Sequence, residues 1–197
     1  MPSDRSPAFA VWLTGLPASG KSTVAQALAT ELAGKGIRAA LLESDAIRRE
    51  ITPLPEYSDG EREAFYATLA YIARVLVLHG VPVIVDATAN LRAYRDRARA
   101  AIPRFLEVYV RCPLAVCQAR DPKGIYRRGA EGTSQNVPGV SVPYEPPLLP
   151  EGIVDGETED PATAARRIVT ALEEKGYLPG SPKDTSITGE PPAPARQ

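Results

Sequence analysis

The sequence is poor in the side chains that catalytic triads, zinc sites and disulfide frameworks need. Among its 197 residues there is one histidine, His79, and there are two cysteines, Cys112 and Cys117. A single histidine excludes any mechanism that uses a histidine pair, and two cysteines at this spacing match neither a disulfide framework nor a zinc signature. We expect both cysteines to be half-buried packing residues in a reducing compartment, and His79 to end a helix.

Long hydrophobic runs and an excess of one charge are also lacking. The longest apolar stretches, such as residues 81–85, fall far short of the roughly 20 residues that a membrane helix needs. Lys and Arg together number 23 against 24 for Asp and Glu, so the net charge of −1 gives no general attraction to nucleic acid or acidic membranes. Residues 1–7 lack the charged and then apolar pattern of a secretion signal. We therefore expect a cytoplasmic protein with small-molecule partners, and neither nucleic acid nor a membrane among them.

Short apolar runs alternate with segments of helical periodicity along the chain. Buried strands are predicted for four apolar runs, at residues 8–13, 37–42, 82–85 and 105–110. A fifth strand is predicted near Ile153. Helices are predicted in between and at the end, at residues 22–35, 59–79, 91–101, 114–119 and 160–176. This alternation predicts an α/β fold with a parallel sheet of about five strands flanked by helices.

The domain boundaries follow from where this alternation begins and stops. We expect a single domain over residues 8–178, a disordered N-terminus at 1–7 and a disordered Pro-rich tail at 179–197. Within the domain, residues 121–150 are rich in Gly and Pro and lack hydrophobic periodicity. Because a loop of this length is usually functional, residues 120–140 are predicted to form a lid that closes over a ligand and excludes water.

A phosphate-binding motif follows the first predicted strand. Residues 15–22, GLPASGKS, satisfy G-x-x-x-x-G-K-[ST] and precede a predicted helix, which is the context that the motif needs. Backbone N–H groups would bind the α- and β-phosphates of ATP, Lys21 would reach the β- and γ-oxygens, and Ser22 could ligate Mg²⁺. The predicted nucleotide-binding residues are Gly15, Leu16, Pro17, Ala18, Ser19, Gly20, Lys21, Ser22, Thr23 and Arg120. The motif predicts the P-loop nucleoside triphosphate hydrolase and kinase fold.

Three carboxylates follow predicted strands, where they would meet the phosphate loop. Phosphoryl transfer needs carboxylates that hold the metal or orient the attacking hydroxyl. The ends of parallel strands converge on one edge, so Glu43, Asp45 and Asp86 are candidates for these roles. We predict Lys21, Asp45 and Asp86 as catalytic residues, and Ser22, Glu43 and Asp45 as metal ligands. A solvated turn or a helix cap is the alternative for each carboxylate.

Basic side chains recur on the segments expected around the same edge. Arginine suits phosphate and sulfate because it forms bidentate hydrogen bonds. The candidates are Arg48, Arg62, Arg92, Arg95, Arg120, Lys123, Arg127 and Arg128. Arg92, Arg95 and Arg99 share one helical face, where a solvated surface stripe competes with a binding role. Lys123 and Arg127 in the predicted lid are better candidates.

These motifs together resemble the adenylylsulfate kinase (APS kinase) family over most of the chain. The resemblance rests on residues 15–23, on residues 107–126 and on Tyr144-Glu145 before a Pro-rich stretch. It implies transfer of phosphate from MgATP to the 3′-hydroxyl of adenylylsulfate, which gives PAPS, the activated sulfate donor. Related kinases are often dimers, so a homodimer is a further expectation, although no pattern in the sequence marks an interface.

Several residues match the family's site residue by residue. Asp45 and Arg48 match its D-x-x-R, Arg62 matches a substrate-binding arginine, and Lys123 matches the lid lysine. The resemblance implies that the acceptor's adenine lies between Tyr57 and Val137, where the family has two aromatic residues. The predicted substrate-binding residues are therefore Asp45, Arg48, Tyr57, Arg62, Lys123 and Val137.

The departures from the family cluster on the acceptor side. Besides Val137, residues 43–45 replace D-G-D, Phe65 replaces an asparagine, and Ala89 stands where the family carries a phosphorylatable serine, so no phosphoserine intermediate is expected. Residues 86–90 look more like polynucleotide kinases and zeta-toxin-like enzymes. One alternative is therefore a kinase of the same fold with another small acceptor, such as a nucleotide conjugate, a sugar or an antibiotic. The other is a nucleotide-dependent switch without an acceptor site.

Overall fold

Five parallel strands form one sheet in the computed structural model, which describes residues 8–52, 54–134 and 136–178. The termini for which we predicted disorder lie outside the described residues. The strands are β1 (Ala10–Thr14), β2 (Ala40–Glu43), β3 (Val83–Asp86), β4 (Phe105–Arg111) and β5 (Gly152–Asp155), in the order β2-β3-β1-β4-β5. The predicted α/β fold with a parallel five-stranded sheet is confirmed.

Seven helices accompany the sheet in the described part of the chain. They are α1 (Lys21–Gly34), α2 (Ser44–Ile51), α3 (Asp59–Leu78), α4 (Arg92–Ala101), α5 (Leu114–Arg120), α6 (Ile125–Ala130) and α7 (Pro161–Glu174). Side chains cap two of the predicted starts, since Ser58 accepts a hydrogen bond from the Glu61 N–H and Asp160 accepts one from the Thr163 N–H. As expected, His79 ends α3. None of the described helices is long and apolar enough to cross a membrane.

The sheet is covered on both faces, which explains why β1 is apolar without alternation. One core cluster includes Val11, Leu13 and residues of α1 and α7, and the other includes Trp12 and residues of α3 and α4. All five residues of β1 are completely buried. The phosphate loop therefore leaves the sheet from its central, completely buried strand.

Two details of the predicted fold differ from the structure. The second strand begins at Ala40 rather than at residue 37, because the Ile37 N–H bonds back to the Leu32 carbonyl and completes the C-terminal turn of α1. The predicted lid also contains the short helix α6. The Asp121 carboxylate starts α6 by accepting hydrogen bonds from the N–H groups of Ile125 (2.7 Å) and Arg127 (2.9 Å).

A small third cluster joins the lid to the phosphate loop. Cys112 and Cys117 are buried in it with Tyr126, and Leu16 packs against it. Both cysteines are free thiols, more deeply buried than expected, and burial raises the pKa of Cys117 to about 12. Both are therefore packing residues, and Cys117 stays protonated at neutral pH.

Candidate active site

The phosphate loop wraps around the ammonium group of Lys21. This group donates hydrogen bonds to the carbonyls of Gly15 (3.1 Å) and Leu16 (2.8 Å). The loop can pass this close to β4 because Gly15 has no side chain. A Cβ at this position would lie 2.4 Å from the Val110 carbonyl oxygen. Burial lowers the pKa of Lys21, while the carboxylates of Asp86 and Asp45 oppose that shift.

The predicted carboxylates meet at the same edge of the sheet. Asp86 ends β3 beside β1, and the Ser22 hydroxyl donates a hydrogen bond of 2.5 Å to its carboxylate. Glu43 ends β2 in register with Asp86, and Asp45 lies in the first turn of α2. Asp86 is buried, whereas Glu43 and Asp45 are exposed. Carboxylates at the ends of two adjacent strands and in the first turn of α2 thus lie at the edge of the sheet where α1 begins.

A cavity of about 600 Å³ opens at this edge. Its volume is within the range of small-ligand sites. Most predicted donor-site residues line it, namely Pro17, Ala18, Gly20, Lys21, Ser22, Thr23, Glu43, Asp45, Asp86, Arg120 and Lys123. Gly15, Leu16 and Ser19 belong to the loop behind the lining.

The lid reaches across the cavity to α2. The Lys123 ammonium forms an ion pair of 2.6 Å with Asp45, which holds the pKa of Lys123 above its ordinary value. On the inner side the Tyr126 hydroxyl donates to the Pro17 carbonyl at 3.0 Å. The lid is therefore attached both to the phosphate loop and to a predicted catalytic carboxylate.

The wall beyond β5 contains residues that the sequence did not single out. Asp155, Gly156 and Glu157 line the cavity, and Arg120 donates to the carbonyls of Gly156 (2.6 Å) and Glu157 (3.3 Å). Thr88, after β3, lines it as well. A position just after a strand is the same signal that identified Asp45 and Asp86. The residues after β5 were missed because β5 is too short for its ends to be predicted from the sequence.

We predict that Gly156→Ala damages the nucleotide site. The added Cβ would lie 2.2 Å from the Ser19 carbonyl oxygen, so the β5–α7 turn or the phosphate loop has to move. We expect the KM for ATP to rise at least tenfold and the melting temperature to fall, as measured by steady-state kinetics and thermal denaturation. Gly34→Ala is the control, since a Cβ there meets no atom within 4 Å. Wild-type kinetics for Gly156→Ala would contradict this packing.

Arg48, Tyr57 and Arg62 form a second group, separate from the residues that line the cavity. The Arg48 guanidinium carbon lies 3.7 Å from the centre of the Phe65 ring and 5.0 Å from that of Tyr57. Arg62 donates through Nε to the Tyr57 carbonyl at 3.0 Å. The structure thus brings three of the predicted substrate-binding residues together between α2 and α3.

Val137 is not part of this group. Its side chain is 1% exposed and packs with Cys112, Cys117 and Tyr126, close enough to Gly129 that a Cβ there would lie 2.8 Å from it. The expected second face for an adenine ring is therefore missing in this structure, because the shorter side chain is drawn into the core beneath the lid.

The adjacent lid residue Asn136 instead contacts the group formed by the predicted acceptor-binding residues Arg48, Tyr57 and Arg62 (the acceptor group). Its side-chain amide donates to the Tyr57 carbonyl at 3.1 Å, and its own carbonyl accepts from Arg62 at 2.6 Å. Arg62 also donates to the Asn90 side chain at 3.1 Å. Asn136 and Asn90 were not predicted, because a single asparagine in a loop carries no distinctive pattern.

Arg95 follows neither of the two alternatives left open for the arginines of α4, since it is buried and does not line the cavity. Its side chain is 1% exposed and donates to Glu107 at 2.7 Å, to the Glu145 carbonyl at 2.6 Å and to the Ala89 carbonyl. Helical spacing predicted that the three arginines share a face, but not that Arg95 is buried while Arg92 and Arg99 stay partly exposed. Arg95 therefore fixes the segment after β3 to the segment after the lid.

A phosphate loop around a buried lysine, carboxylates at neighbouring strand ends and a covering lid define the class of P-loop kinases. Comparison with known sequences narrows this class. Residues 7–155 match the profile described as "Adenylylsulphate kinase", and the chain belongs to this family.

Individual relatives agree with this assignment. The chain is 36% identical over 168 residues to an adenylyl-sulfate kinase of Gloeothece citriformis, covering 85% of this chain and 96% of that protein. It is 33% identical over 181 residues to a probable bifunctional SAT/APS kinase of Sorangium cellulosum, covering 92% of this chain but only 31% of that longer protein. The structure of Mycobacterium tuberculosis APS kinase CysC in complex with AMPPNP and APS superposes with a TM-score of 0.80 at 31% identity, covering 85% of this chain and 98% of that chain.

Proposed function

We propose that this chain transfers the γ-phosphoryl group of ATP to the 3′-hydroxyl of adenylylsulfate and releases PAPS and ADP. The position of Asp45 carries the proposal. Asp45 lines the phosphate cavity, and Arg48 lies one turn further along the same face of α2, within the acceptor group. An acceptor held by Arg48 would therefore have its hydroxyl directed towards the donor phosphates.

On the donor side, the chain supplies charge and orientation. The N–H groups of the phosphate loop and of the first turn of α1 bind phosphate oxygens, and Lys21 neutralises charge that builds up on the γ-phosphoryl group. To bind the phosphate, the Lys21 ammonium has to give up its hydrogen bonds to the Gly15 and Leu16 carbonyls. This exchange is favourable because a buried positive charge is stabilised by the opposite charge of the phosphate. Lys123 and Arg120 close the cavity from the lid side.

The residues at the strand ends fit a magnesium ion. The described residues contain no group of three or more His, Cys, Asp or Glu side chains that could hold a metal alone. Mg²⁺ usually needs only one or two carboxylates beside the substrate phosphates. Ser22 and Asp86 would hold it, with Glu43 and Asp45 nearby, and when bound it neutralises charge on the β- and γ-phosphates.

On the acceptor side, Arg48 and Arg62 suit the sulfate-phosphate anhydride. The Arg48 guanidinium can form paired hydrogen bonds to such an anion, whereas Arg62 would first exchange its hydrogen bonds to the Tyr57 and Asn136 carbonyls and to the Asn90 side chain. The ring of Tyr57 is 40% exposed and offers a stacking surface for adenine. Asp45 would then accept the proton of the 3′-hydroxyl as that oxygen attacks.

The test is to incubate the purified chain with MgATP and adenylylsulfate, and in parallel with sugars, antibiotics and other nucleotides. We expect PAPS and ADP in equal amounts, identified by mass. Phosphorylation of another acceptor with no PAPS at millimolar adenylylsulfate would overturn the acceptor assignment. ATP turnover without any acceptor would favour a switch.

We predict that Tyr57→Ala raises the KM for adenylylsulfate at least tenfold, which corresponds to about 1.4 kcal/mol of lost binding. The KM for ATP should change little, because Tyr57 does not line the phosphate cavity. Tyr71→Ala is the matched control, since Tyr71 is an exposed tyrosine on α3. Equal changes in both Michaelis constants would show that Tyr57 stabilises the fold rather than the acceptor.

A further inference from the structure

Glu61 makes contacts that a helix cap does not require. In a capping box, the carboxylate at this third helical position returns to the N–H of the capping residue. Ser58 does its part, since its hydroxyl accepts from the Glu61 N–H at 3.3 Å. The Glu61 carboxylate, however, bypasses Ser58 and accepts from the N–H groups of Glu56 (2.6 Å) and Tyr57 (3.1 Å). This oxygen therefore holds the preceding turn, not the helix.

The turn that Glu61 holds is strained. Tyr57 has a φ of 54°, in the left-handed region that a bulky side chain adopts only when its surroundings impose it. Glu61 secures the N–H side of the Tyr57 residue, and Arg62 and Asn136 secure its carbonyl. The direction of the exposed Tyr57 ring thus depends on these hydrogen bonds.

The second oxygen of Glu61 holds Arg48. It accepts from the Arg48 guanidinium at 2.8 Å, in the one ion pair that Arg48 forms with the described residues. Arg48 is buried between the rings of Phe65 and Tyr57. A buried guanidinium that loses its counter-charge is costly, so this pair fixes both the charge and the orientation of Arg48.

We propose that Glu61 is a positioning residue of the acceptor site, whose single carboxylate sets the Tyr57 ring and the Arg48 guanidinium in the arrangement that receives adenylylsulfate. This inference rests on the proposed function. Glu61 has two opposing effects on the affinity for the acceptor. It positions Tyr57 and Arg48, but its negative charge beside an anion-binding arginine repels the anionic acceptor. Removing that negative charge should tighten acceptor binding if repulsion dominates and weaken it if positioning dominates.

The experiment measures both Michaelis constants and kcat for Glu61→Ala and Glu61→Gln. We expect Glu61→Ala to raise the KM for adenylylsulfate at least tenfold, with kcat at saturating acceptor and the KM for ATP within about threefold of the parent. Glu61→Gln should fall in between, because its one carbonyl oxygen can accept from Arg48 or from the turn but not from both. Glu63→Ala is the control, since Glu63 lies on α3 like Glu61 and forms an exposed ion pair with Arg97 of α4.

Each outcome has one meaning. An unchanged or lower KM for adenylylsulfate in both Glu61 variants, with PAPS still formed by the parent, overturns the positioning role alone. Absence of PAPS from the parent protein overturns the proposed function, and the inference falls with it. If Glu61→Ala fails to fold, Glu61→Gln decides, and its unchanged KM for ATP shows that the donor site is intact.

Discussion

Replacing Lys21 with alanine is expected to lower the rate of PAPS formation by at least about 10³-fold, the scale on which a cation at the transferring phosphoryl group contributes. Lys21 is the buried cation at the floor of the phosphate loop. Its removal leaves the developing charge to the backbone N–H groups and the metal alone. The measurement is single-turnover formation of PAPS at saturating ATP and adenylylsulfate.

The control for Lys21→Ala is Lys35→Ala, at the other end of α1, where the lysine pairs with Glu173 on the surface. The fold can be followed by the fluorescence of the protein's one tryptophan, Trp12, which is completely buried in the core against α3 and α4. A Lys21→Ala protein with native fluorescence and a rate within tenfold of the parent would disprove the role of Lys21. Loss of the native fluorescence would instead indicate that the ammonium supports the loop.

The sheet and the donor site could be predicted from sequence because their rules are local. A fully apolar strand, a glycine-rich motif and a helix fix where Lys21 and Ser22 must lie, and the rule for parallel strand ends then brings Asp86 beside them. The 2.5 Å hydrogen bond between Ser22 and Asp86 links residues 64 positions apart in the chain. Each residue could be placed at the carboxyl edge of the sheet from its own position in the sequence, without any sequence pattern that links the two.

The acceptor side was harder to predict because its contacts depend on which side of a helix or loop is buried. Arg95 lies on the predicted helix α4, but its burial depends on tertiary packing against Glu107, which the helical spacing does not show. Val137 lies where the family resemblance places an aromatic residue, and its small side chain sinks into the core. Glu61 stands at the capping-box position after Ser58, but its carboxylate reaches past Ser58 to the N–H groups of Glu56 and Tyr57. In each case the sequence indicates where the residue lies along the chain, but not the direction of its side chain.

Asp86 and Asp45, the two carboxylates predicted to be catalytic, differ in their surroundings. Asp86 is buried and hydrogen-bonded to Ser22, which suits a metal ligand, whereas Asp45 is exposed, pairs with Lys123 across the cavity and adjoins the acceptor group. We expect Asp86→Asn and Asp45→Asn each to lower kcat by at least about 10²-fold, the usual contribution of a positioned acid, base or metal carboxylate.

Magnesium titrations tell the two roles apart. If Asp86 helps to hold the metal, Asp86→Asn should need at least tenfold more Mg²⁺ for half-maximal rate, while Asp45→Asn should show the Mg²⁺ dependence of the parent. Asp96→Asn is the control, because Asp96 is an exposed aspartate on α4. Should Asp45→Asn retain full activity while Asp86→Asn does not, the role of the base moves to Asp86. The ion pair of Asp45 with Lys123 would then serve only to hold the lid, since a carboxylate that can be neutralised without loss of rate cannot be the group that accepts the proton.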